Sequence, residues 1–132
     1  PAPLNLGVRL SLNNHRNHQP TEEFYMKVNL SFVPPGGGET DYSIPFEMPE
    51  LPRAGDYISI TRPDQTGTEN FIVKRTWWNL TFDEKAGTGS HTDIWVECEF
   101  ALSPFSSENH KRACERYQGK TGELKSFDES MY

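Results

Sequence analysis

Residues 51–78 read LPRAGDYISITRPDQTGTENFIVKRTWW and contain the clearest turn of the chain, two apolar runs and a pair of tryptophans. In the turn, Pro52 fixes its own φ, and Gly55 can adopt the positive φ that many tight turns require. Asp56 can accept a hydrogen bond from a nearby backbone N–H, as turn aspartates often do. The segment PRAGD therefore predicts a tight corner that leads directly into a strand.

This stretch also has the patterns of two strands, separated by a polar loop. Ile58 and Ile60 alternate with polar neighbours over residues 57–61, which is the period of a half-buried strand. Residues 62–70 are polar, and Phe71 then begins a run of aromatic and β-branched residues. We expect a hairpin with a long loop at the centre of a small β domain.

Length and composition favour one β-rich domain. A chain of 132 residues can bury a single core without help from a metal or a set of disulfides. Only 34% of the residues are hydrophobic, so the 12% that are aromatic must supply much of the buried area. Ten prolines and ten glycines indicate many turns and short elements, which favours strands over helices.

Alternation of apolar and polar residues predicts further strands. The alternating segments are residues 4–12, 24–33, 42–46 and 92–102. Pro45 lies in one of them, and proline has no N–H to donate to a sheet ladder. We therefore expect that strand at an edge of the sheet.

One helix is predicted after these strands. Ser106 or Ser107 can cap it, and Gly119 is placed to end it after about Gln118. A stripe with helical spacing suits docking on a sheet. It consists of His110, Ala113, Cys114 and Tyr117.

The predicted fold is mainly β, a single small antiparallel barrel or strongly bent sheet of about six strands with one C-terminal helix. In this interpretation the whole chain, residues 1–132, is one domain. Strands occupy residues 1–104, the helix residues 105–118, and an extended tail residues 119–132.

The tryptophans suggest a surface. If residues 75–82 pair antiparallel with residues 92–102, Trp77 and Trp95 lie diagonally on the outer face of the sheet. Trp95 is notable because it stands on the otherwise polar side of its strand. The charged residues beside this pair are Arg75, Glu97 and Glu99.

The same pairing predicts that Trp78 and Leu80 join the buried inner face. However, Val73 is in phase with Trp77 and not with Trp78. Either a β-bulge near residues 74–76 switches the faces of the strand, or both faces are covered.

Two explanations of the tryptophan pair remain open. An exposed pair is a platform for binding a protein partner or a second copy of the chain, because aromatic side chains concentrate binding energy. Otherwise the helix, the tail or a second subunit covers it, since large aromatics are usually buried. We expect a non-enzymatic accessory or adaptor protein that binds a protein partner or a second copy of itself through this aromatic surface. The alternative is a small-molecule-binding barrel with a cavity behind Tyr57, Trp78 and Phe100.

Groups suited to catalysis are few. An acid–base cluster for a small hydrolase would consist of His91, Asp93, Asp83 and Glu84. Cys98 and His110 would form a nucleophile pair only if they meet, and a buried free cysteine more often packs as a small hydrophobe. Polar loops and core packing are the favoured explanations.

No cofactor or metal is expected. His15 and His18 offer two imidazoles, and the nearby candidates for a third ligand are Glu22 and Glu23. Because metal sites usually have three or four ligands, we favour a solvated loop.

Charge and cysteine content exclude or disfavour other classes. A formal charge of -6 with scattered basic residues makes nucleic-acid binding unlikely. The apolar runs are too short for a membrane span, and the start lacks the features of a secretory signal. Cys98 and Cys114 can form one bridge or stay reduced, and we favour reduced thiols in a cytoplasmic protein.

The motif PRxGD followed by an aromatic-x-Val strand and a tryptophan resembles small SH3-like β-barrel proteins of bacteria, phages and mobile gene cassettes. The matching residues are Pro52, Arg53, Gly55, Asp56, Phe71, Val73 and Trp78. The resemblance covers about a fifth of the chain, and most such proteins are uncharacterised. It implies a barrel fold and little about function.

Overall fold

Seven strands and one helix make up the part of the chain that the computed structural model describes, which is residues 6–12, 20–118, 120 and 122–128. The strands are β1 (Leu6–Leu12), β2 (Pro20–Val33), β3 (Tyr42–Met48), β4 (Tyr57–Thr61), β5 (Thr68–Asp83), β6 (Thr88–Leu102) and β7 (Lys125–Ser126). The helix α1 spans Glu108–Tyr117. Because β7 has only two residues, six strands carry the sheet. The prediction of a mainly β fold with about six strands and one C-terminal helix is confirmed.

The strands form one curled, half-barrel sheet. Its order is β1-β2-β6-β5-β4, and β3 lies on the other edge of β2, because Leu30 of β2 pairs with both Ile44 and Val96. The long strands pair antiparallel except β2 and β6, which run parallel. The predicted central hairpin is correct for β5, which lies between β4 and β6. It is wrong for β4, which forms an edge of the described sheet.

The strand β3 also lies at an edge of the described sheet. Among the described residues it pairs only with β2, and Pro45 stands opposite Asn29. The edge position predicted from this proline is confirmed, since a missing N–H is tolerated where one side of the strand has no ladder.

The corner that begins the opening stretch is formed as its sequence predicts. The Arg53 backbone N–H donates to Asp56 Oδ2 at 2.7 Å, and Gly55 has a φ of 93°. Two backbone hydrogen bonds then fix the corner to β5: Gly55 N–H donates to Val73 O at 2.8 Å, and Val73 N–H donates to Asp56 O at 2.9 Å. Ile58 and Ile60 of β4 are half-buried while their neighbours are exposed, so the predicted alternation is correct. The loop is shorter than expected and ends at residue 67.

The core lies on the inner face of the sheet and is built around Phe71. Its ring centroid is 4.2 Å from that of Phe32 and 5.1 Å from that of Phe100. The helix packs over these rings through His110 and Cys114, which are both buried, so the predicted stripe is confirmed. Ser107 caps the helix by accepting a hydrogen bond from the His110 backbone N–H. The predicted stop at Gly119 lies outside the described residues.

The described part of the tail packs on the outer face. Phe127 is buried, and its ring stacks on Tyr57 at 4.2 Å between centroids. Its backbone N–H donates to Leu102 O at 2.7 Å, next to the short parallel pairing of β7 with β6. The tail therefore covers the outer face at the β4 side of the sheet.

Candidate functional site: an aromatic arm of β5 and β6

The distal parts of β5 and β6 extend beyond the rest of the sheet as a two-stranded ribbon. β6 pairs with β2 only over residues 95–99, whereas β1 occupies the same edge of β2 over residues 20–26. From Thr88 to Ile94, β6 is therefore paired with β5 alone among the described strands. We call residues 75–83 of β5 and 88–97 of β6 the arm.

A β-bulge at Lys74 determines which side chains of the arm share a face. Val73 stands opposite Cys98, but Arg75 stands opposite Glu97, so Lys74 is the extra residue. Val73 and Trp78 are separated by an odd number of positions, so simple alternation would place them on opposite faces. The extra residue Lys74 puts both side chains on the inner face. The bulge predicted near residues 74–76 is confirmed.

The outer face of the arm carries the stacked pair of Trp77 and Trp95. The two residues are direct partners in the ladder, with ring centroids 6.3 Å apart and planes 10° from parallel. The diagonal arrangement predicted from sequence is wrong, because Trp77 stands directly opposite Trp95 in the ladder. Trp77 is 39% exposed and Trp95 is half-buried, so neither indole is hidden within the protomer.

Charged and polar pairs border these indoles. Arg75 Nε donates to Glu97 Oε2 at 3.0 Å, and Lys74 Nζ lies 3.7 Å from Glu99 Oε1. Arg75 and Glu97 therefore border the tryptophan pair, whereas Glu99 lies further along the outer face, opposite Ile72, and is buried. On its distal side, the Asn79 amide donates to Asp93 Oδ1 at 2.5 Å.

The inner face of the arm is apolar and exposed. Trp78, Leu80 and Phe82 are 46%, 72% and 64% exposed. The prediction that Trp78 and Leu80 join the buried inner face is wrong. Ile94, which pairs with Trp78, is fully buried. The part of the protein that covers the inner face of the sheet therefore ends at this ladder pair.

No family model, curated protein or solved structure matches this chain. In the described part of the chain, no helix combines the length and apolar character needed to cross a membrane.

The predicted small-molecule cavity is not formed by the expected residues. Tyr57 lies on the outer face against Phe127, whereas Phe100 is buried on the inner face between Phe71 and His110. Trp78 lies on the exposed arm. The three residues therefore lie in three separate environments and do not line one cavity.

The predicted acid–base cluster is also not assembled. The ring of His91 packs edge-on against Trp78 on the inner face, at 5.7 Å between centroids, whereas Asp93 binds Asn79 on the outer face. A register shift between Asn79 and Leu80 separates His91 and Asp93 in this way. Asp83 Oδ1 instead accepts from the backbone N–H groups of Lys85 and Ala86 in the turn, where Glu84 is exposed.

Cys98 and His110 do not meet, because the thiol beside this imidazole belongs to Cys114, and Cys98 packs in the core as favoured from sequence. The Cys114 Sγ lies 3.5 Å from His110 Nε2, whereas Cys98 Sγ donates to Val96 O. Both thiols are free and buried, as favoured from sequence. Burial raises the pKa of each thiol to about 12, so neither is a thiolate nucleophile at neutral pH.

Among the described residues, no group of three or more histidine, cysteine or carboxylate side chains is placed to hold a metal ion. His15 and His18 lie outside the described residues, and of Glu22 and Glu23 only the backbone is described. The solvated loop favoured from sequence therefore stays a prediction for that segment.

Sequence reasoning missed a polar cluster on the other side of the core. The Tyr42 hydroxyl donates to Glu69 Oε1 at 2.6 Å, and Arg62 Nε donates to Glu69 Oε2. These residues line a cleft of about 390 Å³ beside His110 and Arg116. Within the described residues, both Glu69 oxygens are satisfied by protein groups. The cluster is therefore a structural tie across the sheet.

Proposed function

We propose that this protein is a non-enzymatic accessory or adaptor module that binds a protein partner through the outer face of the arm. The observation that carries the proposal is the stacked Trp77 and Trp95 pair at the base of the projecting ribbon, with Trp77 39% exposed. Stacking and strand pairing already restrict both side chains, so binding would order them at little entropic cost. Tryptophan is also enriched among the residues that dominate binding energy in interfaces.

The surroundings of the pair support this role. Aromatic side chains occupy the middle of the outer face, and the ion pair of Arg75 with Glu97 and the pair of Asn79 with Asp93 lie on either side. An apolar centre with a polar rim is the usual anatomy of a protein interface. These two polar pairs would fix the orientation of a partner, while the indoles supply contact area.

Affinity capture with matched variants tests the proposal. The immobilised wild-type protein would be compared with Trp77→Ala and Trp95→Ala in extracts of the source cells, with bound proteins quantified by mass spectrometry. Trp78→Ala is the matched control, because it removes the same side chain from the adjacent position on the opposite face. Circular dichroism would verify that each variant is folded.

We expect one partner to be retained by wild type and Trp78→Ala, and lost with Trp77→Ala and Trp95→Ala. Equal recovery by all four proteins would show that the outer face is not the binding surface. Loss with Trp78→Ala alone would move the binding surface to the inner face.

We also propose that the fold is SH3-like and that the protein works in the cytoplasm. The PRxGD corner supports the first point, since it is hydrogen-bonded to Val73, another residue of the resemblance. The buried free thiols of Cys98 and Cys114 support a reducing compartment.

A further inference from the structure

The inner face of the arm has no role in the proposed function, yet it exposes three large apolar side chains. Trp78, Leu80 and Phe82 follow one another along this face of β5. Their exposed fractions of 46%, 72% and 64% make a contiguous stripe. Apolar patches of this kind on soluble proteins commonly mark contact surfaces.

We propose that this stripe packs face to face against the same stripe of a second copy of the chain, related by a two-fold axis through the two Leu80 residues. A two-fold axis perpendicular to β5 reverses the direction of one strand relative to the other, so the surface must match its own reverse. The stripe meets this condition, because it reads aromatic, leucine, aromatic in both directions. In the dimer, Trp78 of one copy lies over Phe82 of the other, and the two leucines meet.

Charge favours a second copy on this face. Within the described arm, the inner-facing positions of β6 opposite the stripe are Gly89, His91 and Ile94. Neither strand presents an aspartate, glutamate, lysine or arginine there. Two copies that each carry a formal charge of -6 repel one another, and an uncharged face is where they can approach at the lowest electrostatic cost. The outer face is less suitable, because the carboxylates of Asp93 and Glu97 lie on it and would approach their own copies.

The shape of this face also suits the proposal. Gly89 stands opposite Phe82, and a Cβ added to Gly89 would lie 3.9 Å from Phe82 Cδ1. Without a side chain at Gly89, this side of the Phe82 ring stays open to contact. In the two-fold arrangement the Trp78 indole of the other copy packs against it.

The size of the stripe determines the strength of the dimer. A buried aromatic side chain contributes roughly 150–250 Å². Three partly exposed side chains therefore supply less than the ~800 Å² per partner of a standard interface. We expect a dimer that forms at high protein concentration and dissociates on dilution.

Sedimentation velocity from micromolar to millimolar protein tests the proposal. Wild type is expected to shift from monomer to dimer, whereas Leu80→Asp remains monomeric throughout. The matched control is Thr81→Asp, which adds the same charge at the next position of β5 on the opposite face, where Thr81 is exposed. Thr81→Asp is expected to dimerise like wild type. Leu80→Ser removes the apolar contact without adding charge and should also weaken the dimer.

A wild-type protein that stays monomeric at millimolar concentration would overturn the proposal. So would equal loss of the dimer in Leu80→Asp and Thr81→Asp, since that result would reflect net charge alone. Trp77→Ala keeps the two proposals apart, because it is expected to lose partner capture and to retain the dimer. A failed capture experiment would therefore leave the dimer proposal unaffected, and a protein that stays monomeric would leave the partner proposal unaffected.

Discussion

The Tyr42 hydroxyl donates a 2.6 Å hydrogen bond to Oε1 of Glu69 and so connects β3 to β5, two strands that share no ladder in the described sheet. Arg62, which follows β4, donates to the other oxygen of the same carboxylate. β3 and β4 are the strands at the open side of the half-barrel. One carboxylate thus ties the elements on both sides of that opening.

Acid should weaken this tie. Burial works to raise the pKa of Glu69, but the hydrogen bonds from Arg62 and Tyr42 outweigh it and hold the pKa below the ordinary 4.5. Because the folded pKa is depressed, the stabilisation is present above 4.5 and is lost as the pH falls through the lower folded value. Tyr42→Phe should lower the free energy of unfolding by about 1 kcal/mol near neutral pH. We expect its difference from wild type to shrink below pH 4.5.

Urea unfolding at a series of pH values measures this effect. Tyr117→Phe is the control, because its hydroxyl also donates to a carboxylate, that of the exposed Asp41, at 2.9 Å. Solvent screening at that site predicts a smaller change. A Tyr42→Phe deficit that stays constant down to the lowest pH would contradict the assigned role of Glu69.

His110 should cause a second loss of stability on acidification, in a higher pH range than the loss caused by Glu69. Burial lowers its pKa below 6.5, although the Ala101 carbonyl, 2.7 Å from Nε2, opposes this shift. The unfolded chain therefore binds a proton that the folded protein resists, and stability is lost as the pH falls from 6.5 through the lower folded pKa. In His110→Gln we expect lower stability at neutral pH and a flat profile just below 6.5. Identical slopes for the two proteins in urea unfolding would assign the loss to other groups.

The bulge predicts an asymmetry between two neighbouring deletions. Removing Lys74 takes out the extra residue and leaves every side chain of the arm on its present face. We expect this deletion to destabilise by no more than the ~0.5–3 kcal/mol typical of single changes. Removing Thr76 would move every later side chain of β5 to the opposite face of the sheet. This deletion should destabilise the protein much more than removal of Lys74, because Trp77 would move to the inner face. Equal unfolding free energies for the two variants would mean that Lys74 does not set the register.

Two glycines with the same backbone strain should differ in tolerance. Gly55 and Gly67 have φ values of 93° and 92°, but a Cβ at Gly55 would meet open space. A Cβ at Gly67 would lie 2.7 Å from Phe105 O, where the loop before β5 contacts the segment before α1. Gly55→Ala should destabilise by about 1 kcal/mol through strain. In Gly67→Ala we expect a further ~1–3 kcal/mol from crowding, which thermal unfolding of both variants would measure.

Local pattern predicted the features that depend on neighbouring residues. The alternation around Ile58 gave the correct faces of β4, and the phase conflict between Val73 and Trp78 correctly located the bulge. Ser107 was recognisable as a cap because its side chain acts within one turn of the helix. These features need no knowledge of distant parts of the chain.

The predictions that are wrong concern contacts between distant segments of the chain. Alternation assigns Trp78 and Leu80 to the inner face, which is correct, but it cannot show where the layer that covers this face ends. His91 and Asp93 share a face by simple alternation, and the register shift opposite Asn79 separates them. The contact of Tyr42 with Glu69 depends on how far the sheet curls, which no local pattern specifies.

The parallel pairing of β2 with β6 also affects how the chain can fold during synthesis. The Asn29 side chain donates to the Ile94 carbonyl, 65 residues later, at the start of this pairing. Until β6 has left the ribosome, β1–β3 and the β4–β5 hairpin have no strand to join them. Contacts of such long sequence separation slow folding and prolong the exposure of unpaired edges. Translation therefore delivers two separate halves of the sheet, and the last long strand joins them.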